Sequence, residues 1–498
     1  MKGFTVASVF SDRMVLQRNK NINVFGTGIE NAVVIVEFDG DSAKTVVQNG
    51  KWLAVLPPHK EAENLEMTIR CGDEIKHFSD IAVGEVWFAG GQSNMEYELQ
   101  NCATGKEHLE NDNPRVRYYY TQKNAFIDEK FLEDEAKMGW TKFEGDSPKC
   151  WSAVGYIFAK ELSEKLGCVV GVIGCNWGGT KACHWMSRES LESDRDMRYD
   201  LDLYDEFCKD KSPEELERIY WEYVDYHAAW EKKSAEYYTT TENPTWDGCL
   251  EYCGENKYPG PLCPRNPFHA TALYESMIKR VAPYTIAGFM YYQGESDDDR
   301  PQYYYKMLRG LITLWREDWG DDELPFLIVQ LPMHRYSGDE DRKNWCLIRE
   351  AQEKIFRTIK NTGLAVILDC GEFNEIHPKD KEQVGHRLCL QAMKLVYGDK
   401  TTNAFSPLYR SHLIRNEKIE ISFDYADGFE IKGKKCGFEI AGIDGKYKPA
   451  DFILKDDKIL VFSDEINEPV SARYQWTNYG DVTLYGKNGL PVAPFRTK

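Results

Sequence analysis

The alternation of apolar, strand-like runs with amphipathic, helix-like runs between residues 84 and 400 limits the fold of this chain more than any other feature. The apolar runs cover residues 86–89, 168–174, 286–292, 326–330 and 364–368. Runs with helical spacing cover residues 156–162, 273–280, 303–315, 348–359 and 381–397. Continuous apolar runs are typical of strands buried on both faces, and parallel strands are joined by crossover helices. We therefore predict an α/β domain with a five-stranded parallel sheet that carries helices on both faces.

Shorter β-rich runs flank this domain. Residues 1–83 contain such runs separated by turn signals and predict an N-terminal β-sandwich domain, and residues 401–498 predict a C-terminal β domain. Within the α/β domain of residues 84–400, a segment from about residue 187 to 265 interrupts the alternation and is rich in charged and aromatic residues. We predict an insertion there, either shaping the substrate site or forming a passive surface elaboration.

The overall charge disfavours some classes of partner. Acidic residues outnumber basic ones by 81 to 62, for a formal net charge of −19, which repels nucleic acid and anionic membranes. No segment approaches the roughly 20 apolar residues of a membrane helix. The 14 cysteines are scattered and no signal peptide is visible at the amino terminus, so we predict a cytoplasmic protein with reduced thiols. The sequence leaves open whether the chain forms a homo-oligomer.

Four segments with reactive or hydrogen-bonding side chains follow predicted strands. Because the carboxyl ends of parallel strands meet at one edge of a sheet, we expect these segments to lie together. The first contains Ser93, directly after two glycines that let the backbone turn sharply. A serine needs a neighbouring base to act as a nucleophile. The alternative role for Ser93 is to cap the following helix through its hydroxyl group.

A histidine far along the chain offers such a base. His377 lies in the segment 374–378, and histidine is the side chain best suited to accept a proton near neutral pH. Glu375 could hold the other ring nitrogen and stabilise the charged ring. A single loop histidine is more often structural, and nine other histidines compete for the role.

The two remaining segments could stabilise a developing negative charge. Gly178 and Gly179 follow a strand and leave backbone N–H groups available at a turn, and the Gln293 amide could add a side-chain donor. The alternative for the glycines is a tight turn needed only for packing. Glu295 could orient neighbouring side chains or cap the turn that follows it.

Together these segments resemble the SGNH hydrolases, and specifically the sialate O-acetylesterase-like carbohydrate esterases. The blocks are residues 91–95 (GQSNM), 177–180 (WGGT), 292–296 (YQGES) and 376–378 (IHP). Residues 10–18 (FSDRMVLQR) and 489–496 (GLPVAPFR) resemble the terminal signatures of that family, so the resemblance spans nearly the whole chain. It implies a flavodoxin-like sheet and a serine esterase that uses no metal and no organic cofactor.

The resemblance also implies roles for named residues. Ser93 would be the nucleophile and His377 the base, with the N–H groups of Ser93, Gly178 or Gly179 and the Gln293 amide forming the oxyanion hole. The side chains predicted to contact the substrate are Gln92, Asn94, Trp177 and Glu295. The family usually has aspartate two residues before the histidine, where this chain has Glu375, and many relatives have the acid three before, where it has Asn374. We favour Glu375 as the third member, with Asp369 or a Ser–His dyad as alternatives.

The predicted reaction is removal of O-acetyl groups from a sugar or oligosaccharide. A sialic acid carries a carboxylate, which normally needs an arginine, and the sequence does not place Arg265 or Arg335 at the site. Because the net charge is negative and aromatic residues suited to stacking on sugars flank the motifs, we expect neutral glycans of the xylan or mannan type rather than sialate. The alternatives are a sialate O-acetylesterase, a non-catalytic carbohydrate-binding protein and an esterase for apolar acyl chains.

Overall fold

A computed structural model describes residues 3–433, 437–455 and 457–497. It has a mixed α/β centre with β-rich regions at both ends, as predicted. The N-terminal strands are β1 (Thr5–Val6), β2 (Val15–Gln17), β3 (Ile22–Thr27), β4 (Val33–Phe38), β5 (Asp41–Val46), β6 (Lys51–Leu56), β7 (Ala62–Cys71) and β8 (Glu74–Gly91). Alternating burial along β4 and β6 shows that each presents one face to a core, which is the pattern of a packed antiparallel sheet.

Strand β8 joins the N-terminal region to the central sheet. Its first part pairs with β7, its middle with β2, and its last part, from Glu85 onward, pairs with strands of the central sheet. The predicted boundary between residues 83 and 84 therefore falls inside one continuous strand. The apolar residues of both regions also belong to one buried cluster, so the N-terminal strands and the central sheet share a core.

The central sheet contains the five predicted strands and two more, of which one is parallel to them. Its further strands are β9 (Asn113–Tyr120), β10 (Thr141–Phe143), β11 (Val170–Asn176), β12 (Gly288–Tyr292), β13 (Phe326–Gln330) and β14 (Thr362–Val366). The order across the sheet is β10-β9-β11-β8-β12-β13-β14, and all neighbours are parallel except β10 and β9. The five predicted strands follow the flavodoxin-like order 2-1-3-4-5, and β9 adds a sixth parallel strand outside them.

Helices cover both faces of this sheet. The helices are α1 (Ser93–Glu96), α2 (Gly105–Leu109), α3 (Glu129–Glu135), α4 (Ala153–Leu166), α5 (Arg188–Glu192), α6 (Tyr199–Cys208), α7 (Pro213–Thr240), α8 (Trp246–Cys253), α9 (Lys279–Val281), α10 (Tyr304–Trp319), α11 (Asn344–Thr358) and α12 (Glu382–Leu395). Adjacent residues of a strand point to opposite faces. Trp87 of β8 contacts Phe158 of α4, whereas Phe88 contacts Trp315 of α10, so these two helices lie on opposite sides.

The predicted insertion forms helices α5 to α8 and the loop after them. Helices α7 and α8 pack on each other around Trp230, Cys249 and Cys253, which form a small core of their own. Among the described helices, none combines the length and the apolar character needed to cross a membrane.

The C-terminal region has its own β structure and core. Its strands are β15 (Leu408–Arg415), β16 (Lys418–Asp424), β17 (Phe429–Ile431), β18 (Phe438–Ala441), β19 (Tyr447–Pro449), β20 (Asp451–Lys455), β21 (Lys458–Phe462), β22 (Ser471–Tyr474), β23 (Leu484–Gly486) and β24 (Phe495–Arg496). They form two four-stranded antiparallel sheets and one two-stranded sheet. Buried side chains such as Ile421, Val461 and Phe495 fill the space among them. The loop between β22 and β23 reaches back to the central domain, where Asn478 accepts a hydrogen bond from the backbone of Trp345.

Candidate active site

Strand β8 ends in a sharp turn that presents Ser93. Gly91 has a φ of +138°, and a Cβ atom there would lie 2.1 Å from the backbone oxygen of Tyr292. Only glycine lets the two strands approach this closely. The chain then enters the short helix α1 at Ser93, so the serine side chain stands at the carboxyl edge of the parallel sheet.

His377 meets Ser93 at this edge. The distance from Ser93 Oγ to His377 Nε2 is 2.8 Å, which is a hydrogen bond between residues 284 positions apart. His377 lies in the loop between β14 and α12, so two different strand-to-helix connections bring the pair together. This is the geometry that a serine nucleophile and its general base require.

Of the acidic candidates for a third member, Glu375 comes within reach of the imidazole. Its Oε1 lies 3.8 Å from His377 Nδ1, which is an ion-pair distance but too long for a hydrogen bond. The same oxygen accepts a hydrogen bond of 2.8 Å from the backbone N–H of His377 and thereby fixes the loop. Asp369 instead binds Arg387 through two hydrogen bonds, and the Asn374 side chain accepts from the backbone of Ser337.

The surroundings of His377 favour the neutral form of its ring. Partial burial lowers the pKa of His377 below its usual value, and the positive charge of Lys381 lowers it further. Lys381 is itself buried, which lowers the pKa of its ammonium group to about 8. A neutral imidazole can accept the serine proton, so the environment favours the base form at neutral pH.

We expect Lys381→Met to move the acid limb of the kcat/KM profile to higher pH. The buried ammonium group lowers the pKa of His377, so its removal raises that pKa, and the neutral base is then lost earlier as the pH falls. The measurement is hydrolysis of 4-nitrophenyl acetate from about pH 4.5 to about pH 8. Lys379→Met is the matched control, because Lys379 is an exposed lysine near Lys381. The expectation would be contradicted if the acid limb of the Lys381 variant did not move, or if the two variants shifted it equally.

Asn94 lies in a buried hydrogen-bond network behind the pair. Its amide nitrogen donates to Glu295 Oε1 at 2.7 Å and to the backbone oxygen of Ile376 at 2.9 Å, and its oxygen accepts from Lys381 at 2.6 Å. The sequence predicted a substrate contact for Asn94. In the structure this amide ties the nucleophile turn to the loop of His377, and a substrate contact of Asn94 stays a prediction.

Gln92 and Gln293 are also committed to protein partners. Gln92 Oε1 accepts from the backbone N–H groups of Gly294 and Ser296, and its amide nitrogen donates to the Ser296 hydroxyl. The Gln293 amide nitrogen donates to Asp297 at 2.5 Å and to the Thr180 carbonyl at 3.1 Å, and its oxygen accepts from Tyr304. Both side chains are buried. Both side chains therefore position neighbouring groups in this structure, and the substrate contact of Gln92 and the oxyanion role of Gln293 stay predictions.

The expected oxyanion donors are only partly free. The N–H of Gly178 donates to Glu96 Oε2 at 2.6 Å, and the other oxygen of Glu96 binds Lys123. Among the described residues, none accepts a hydrogen bond from the N–H of Ser93 or of Gly179. The N–H groups of Ser93 and Gly179 thus have no acceptor among the described residues, whereas Glu96 occupies the N–H of Gly178. Motif reasoning missed Glu96 and Lys123, although Glu96 directly follows the GQSNM block.

Aromatic residues line the approach to the nucleophile. Trp177 is partly exposed next to the glycine turn, and Lys123 lies 6.0 Å from its ring. Tyr258 of the insertion covers Gly179, where a Cβ atom would lie 2.0 Å from the tyrosine oxygen. Gly179 has a φ of +74°, so both its conformation and this contact require glycine. The insertion thus forms a wall of the site.

A cavity of about 300 Å³ adjoins the loop of His377. Its walls include Glu295, His334, Arg335, Ile376 and Asn478, so the third motif, the histidine loop and the C-terminal region all contribute. Arg335 thus lies beside the site, a position that the sequence did not reveal. Glu295 lines this cavity and is buried, which raises the pKa of its carboxyl group.

Comparison with known proteins adds independent information. A family model described as carbohydrate esterase, sialic acid-specific acetylesterase, matches residues 265–394, which include the segments of Gln293 and His377. The sialate O-acetylesterase of Rattus norvegicus is 25% identical over 100% of this chain and 94% of its own length. The human sialate O-acetylesterase is 25% identical over 99% of this chain and 92% of its own length.

A solved structure extends the likeness to the whole fold. The crystal structure of a carbohydrate acetylesterase from Xanthomonas citri superposes with a TM-score of 0.79 at 28% identity. The alignment covers 99% of both chains. It therefore includes both flanking β regions as well as the central sheet.

Proposed function

We propose that this chain, which is a sialate O-acetylesterase-like carbohydrate esterase and thus a carboxylic ester hydrolase, cleaves acetyl esters of sugars with Ser93 as nucleophile and His377 as base. The hydrogen bond of 2.8 Å between Ser93 Oγ and His377 Nε2 is the observation that carries these roles. Free N–H groups beside the serine and a partly exposed approach to it add support.

The reaction follows from the positions of these groups. The Ser93 hydroxyl attacks the acetyl carbonyl while His377 Nε2 accepts its proton, and the N–H groups of Ser93 and Gly179 hold the negative oxygen. His377 returns the proton to the departing sugar oxygen. Water then attacks the acetyl-serine by the same route and releases acetate. Glu375 stabilises the charged ring electrostatically across 3.8 Å and fixes its backbone.

For the substrate, we propose an O-acetylated sialic acid. The related rat and human proteins are named sialate O-acetylesterases, and the matching family model is described as sialic acid-specific. The expectation of neutral glycans rested on the negative net charge, on the aromatic residues beside the motifs and on the absence of an arginine placed at the site. Arg335 now lines the adjoining cavity, so the last of these reasons no longer applies.

A panel of acetylated sugars tests this function. We expect acetate release from O-acetylated sialic acid, slower release from acetylated xylo- and manno-oligosaccharides, and turnover of 4-nitrophenyl acetate. Faster cleavage of the neutral esters would instead assign the enzyme a substrate of the xylan or mannan type. A chain that binds the sugars without releasing acetate would be a carbohydrate-binding protein instead.

A further inference from the structure

Two residues that line the cavity beside His377 each carry a buried polar atom that no described residue hydrogen-bonds. Nε of Arg335 and Oε2 of Glu295 are both buried, and neither has a hydrogen-bond partner among the described residues. Both residues line the same cavity of about 300 Å³. Buried polar groups are nearly always hydrogen-bonded in folded proteins. The protein itself therefore leaves a donor of Arg335 and an acceptor of Glu295 unsatisfied, and both residues stand next to this cavity.

The backbone fixes Arg335 relative to the histidine loop. Arg335 forms a parallel bridge with Phe373, and its carbonyl accepts a hydrogen bond of 3.1 Å from the N–H of Asn374, three residues before His377. The guanidinium group lies 6.0 Å from the Phe373 ring. The arginine and the catalytic base are thus held by the same pair of neighbouring loops.

Arg335 also differs from other partly buried arginines of this chain. Arg280 binds Glu135 with two hydrogen bonds, and Arg387 binds Asp369 in the same way. Within the described residues, no carboxylate forms an ion pair with Arg335. An arginine fork with no internal partner is suited to hold a carboxylate from a ligand.

The acidic residues around the cavity leave this arginine available. Asp339 and Glu340 are exposed, where solvent and salt screen their charges. Asp298 accepts a hydrogen bond of 2.8 Å from the Asn344 amide. Burial raises the pKa of Glu295, which favours its neutral form and allows it to donate to or accept from a sugar hydroxyl.

We propose that Arg335 binds the carboxylate of an acidic, O-acetylated sugar while the rest of the sugar fills the cavity beside His377. This inference rests on the proposed esterase function and specifies the charged group that the substrate carries. A volume of about 300 Å³ is at the lower end of small-molecule sites, which suits one sugar unit rather than a chain.

The test compares two substrates that differ only in charge. O-acetylated sialic acid carries the carboxylate, and its carboxamide analogue is neutral but has nearly the same shape. We expect wild-type protein to favour the acid over the amide, and we expect Arg335→Gln to lower kcat/KM for the acid by about 10- to 100-fold. Acetate release from the amide should stay within about threefold of the wild-type rate. Arg335→Lys keeps the positive charge but not the planar, bidentate guanidinium group, so its loss of kcat/KM for the acid should be intermediate.

Arg410→Gln is the control, because Arg410 is half exposed on strand β15 of the C-terminal region. It should leave both rates unchanged. Equal loss on acid and amide in Arg335→Gln, an unaffected acid rate, or no preference in the wild type would each overturn the carboxylate site. If Ser93→Ala still releases acetate, the proposed function fails instead, so the two failures are distinguishable.

Discussion

Ser93→Ala is expected to lower acetate release from acetylated sugars by at least about 1,000-fold, because the acetyl-serine cannot form without the Ser93 hydroxyl. The Ser93 hydroxyl is the group placed to donate its proton to His377, with Oγ 2.8 Å from Nε2. The fold and the N–H groups of the turn should persist, since Ser93 is partly exposed and alanine removes only its hydroxyl group. The measurement is acetate release by the purified variant, with circular dichroism to show that it is folded.

The same assay also tests whether Ser93 and His377 act together. His377→Ala should lower acetate release by a similar factor. The double variant should be no slower than the slower single variant, because Ser93 and His377 act as a unit. Ser193→Ala is the matched control, since Ser193 is an exposed serine in the insertion. A Ser93 variant that keeps about a tenth of the activity would exclude the acetyl-serine route.

The sequence predicted the parts of the site that depend on chain position. Ser93 and His377 each follow a strand of the parallel sheet, and the carboxyl ends of parallel strands meet whatever the side chains do. The sequence did not predict the directions in which the side chains point. Gln92, Asn94 and Gln293 lie in the predicted segments but point into the protein, because buried turns leave backbone groups that need partners. Motifs name such residues without showing which way they face.

Two further differences have physical reasons. Strand β9 was missed because it contains Arg117, which is buried and paired with Asp80, so the strand does not resemble an apolar run. The sequence could not place Arg335 at the active site. Its position there depends on a pairing between its loop and Phe373, and this pairing has no sequence signature.

Arg349→Ala is expected to lower the free energy of unfolding by about 3–5 kcal/mol, because it leaves several buried carbonyls unsatisfied at about 1–3 kcal/mol each. Arg349 of α11 is fully buried, and its guanidinium group donates to four backbone carbonyls, those of Leu331, Pro332, Thr477 and Asn478. Burial lowers its pKa to about 10, so the group remains charged at neutral pH. The variant would leave these carbonyls buried without a donor.

These four carbonyls lie in two parts of the chain, the loop after β13 and the C-terminal loop that carries Asn478. Because Asn478 and His334 line the cavity beside His377, loss of Arg349 should loosen that cavity as well as the fold. Urea unfolding followed by tryptophan fluorescence measures the stability, and Arg410→Ala, at an exposed site, should change it by no more than about 0.5 kcal/mol. An Arg349 variant as stable as the control would show that solvent can replace all four hydrogen bonds, so that the C-terminal region does not depend on this arginine for its attachment.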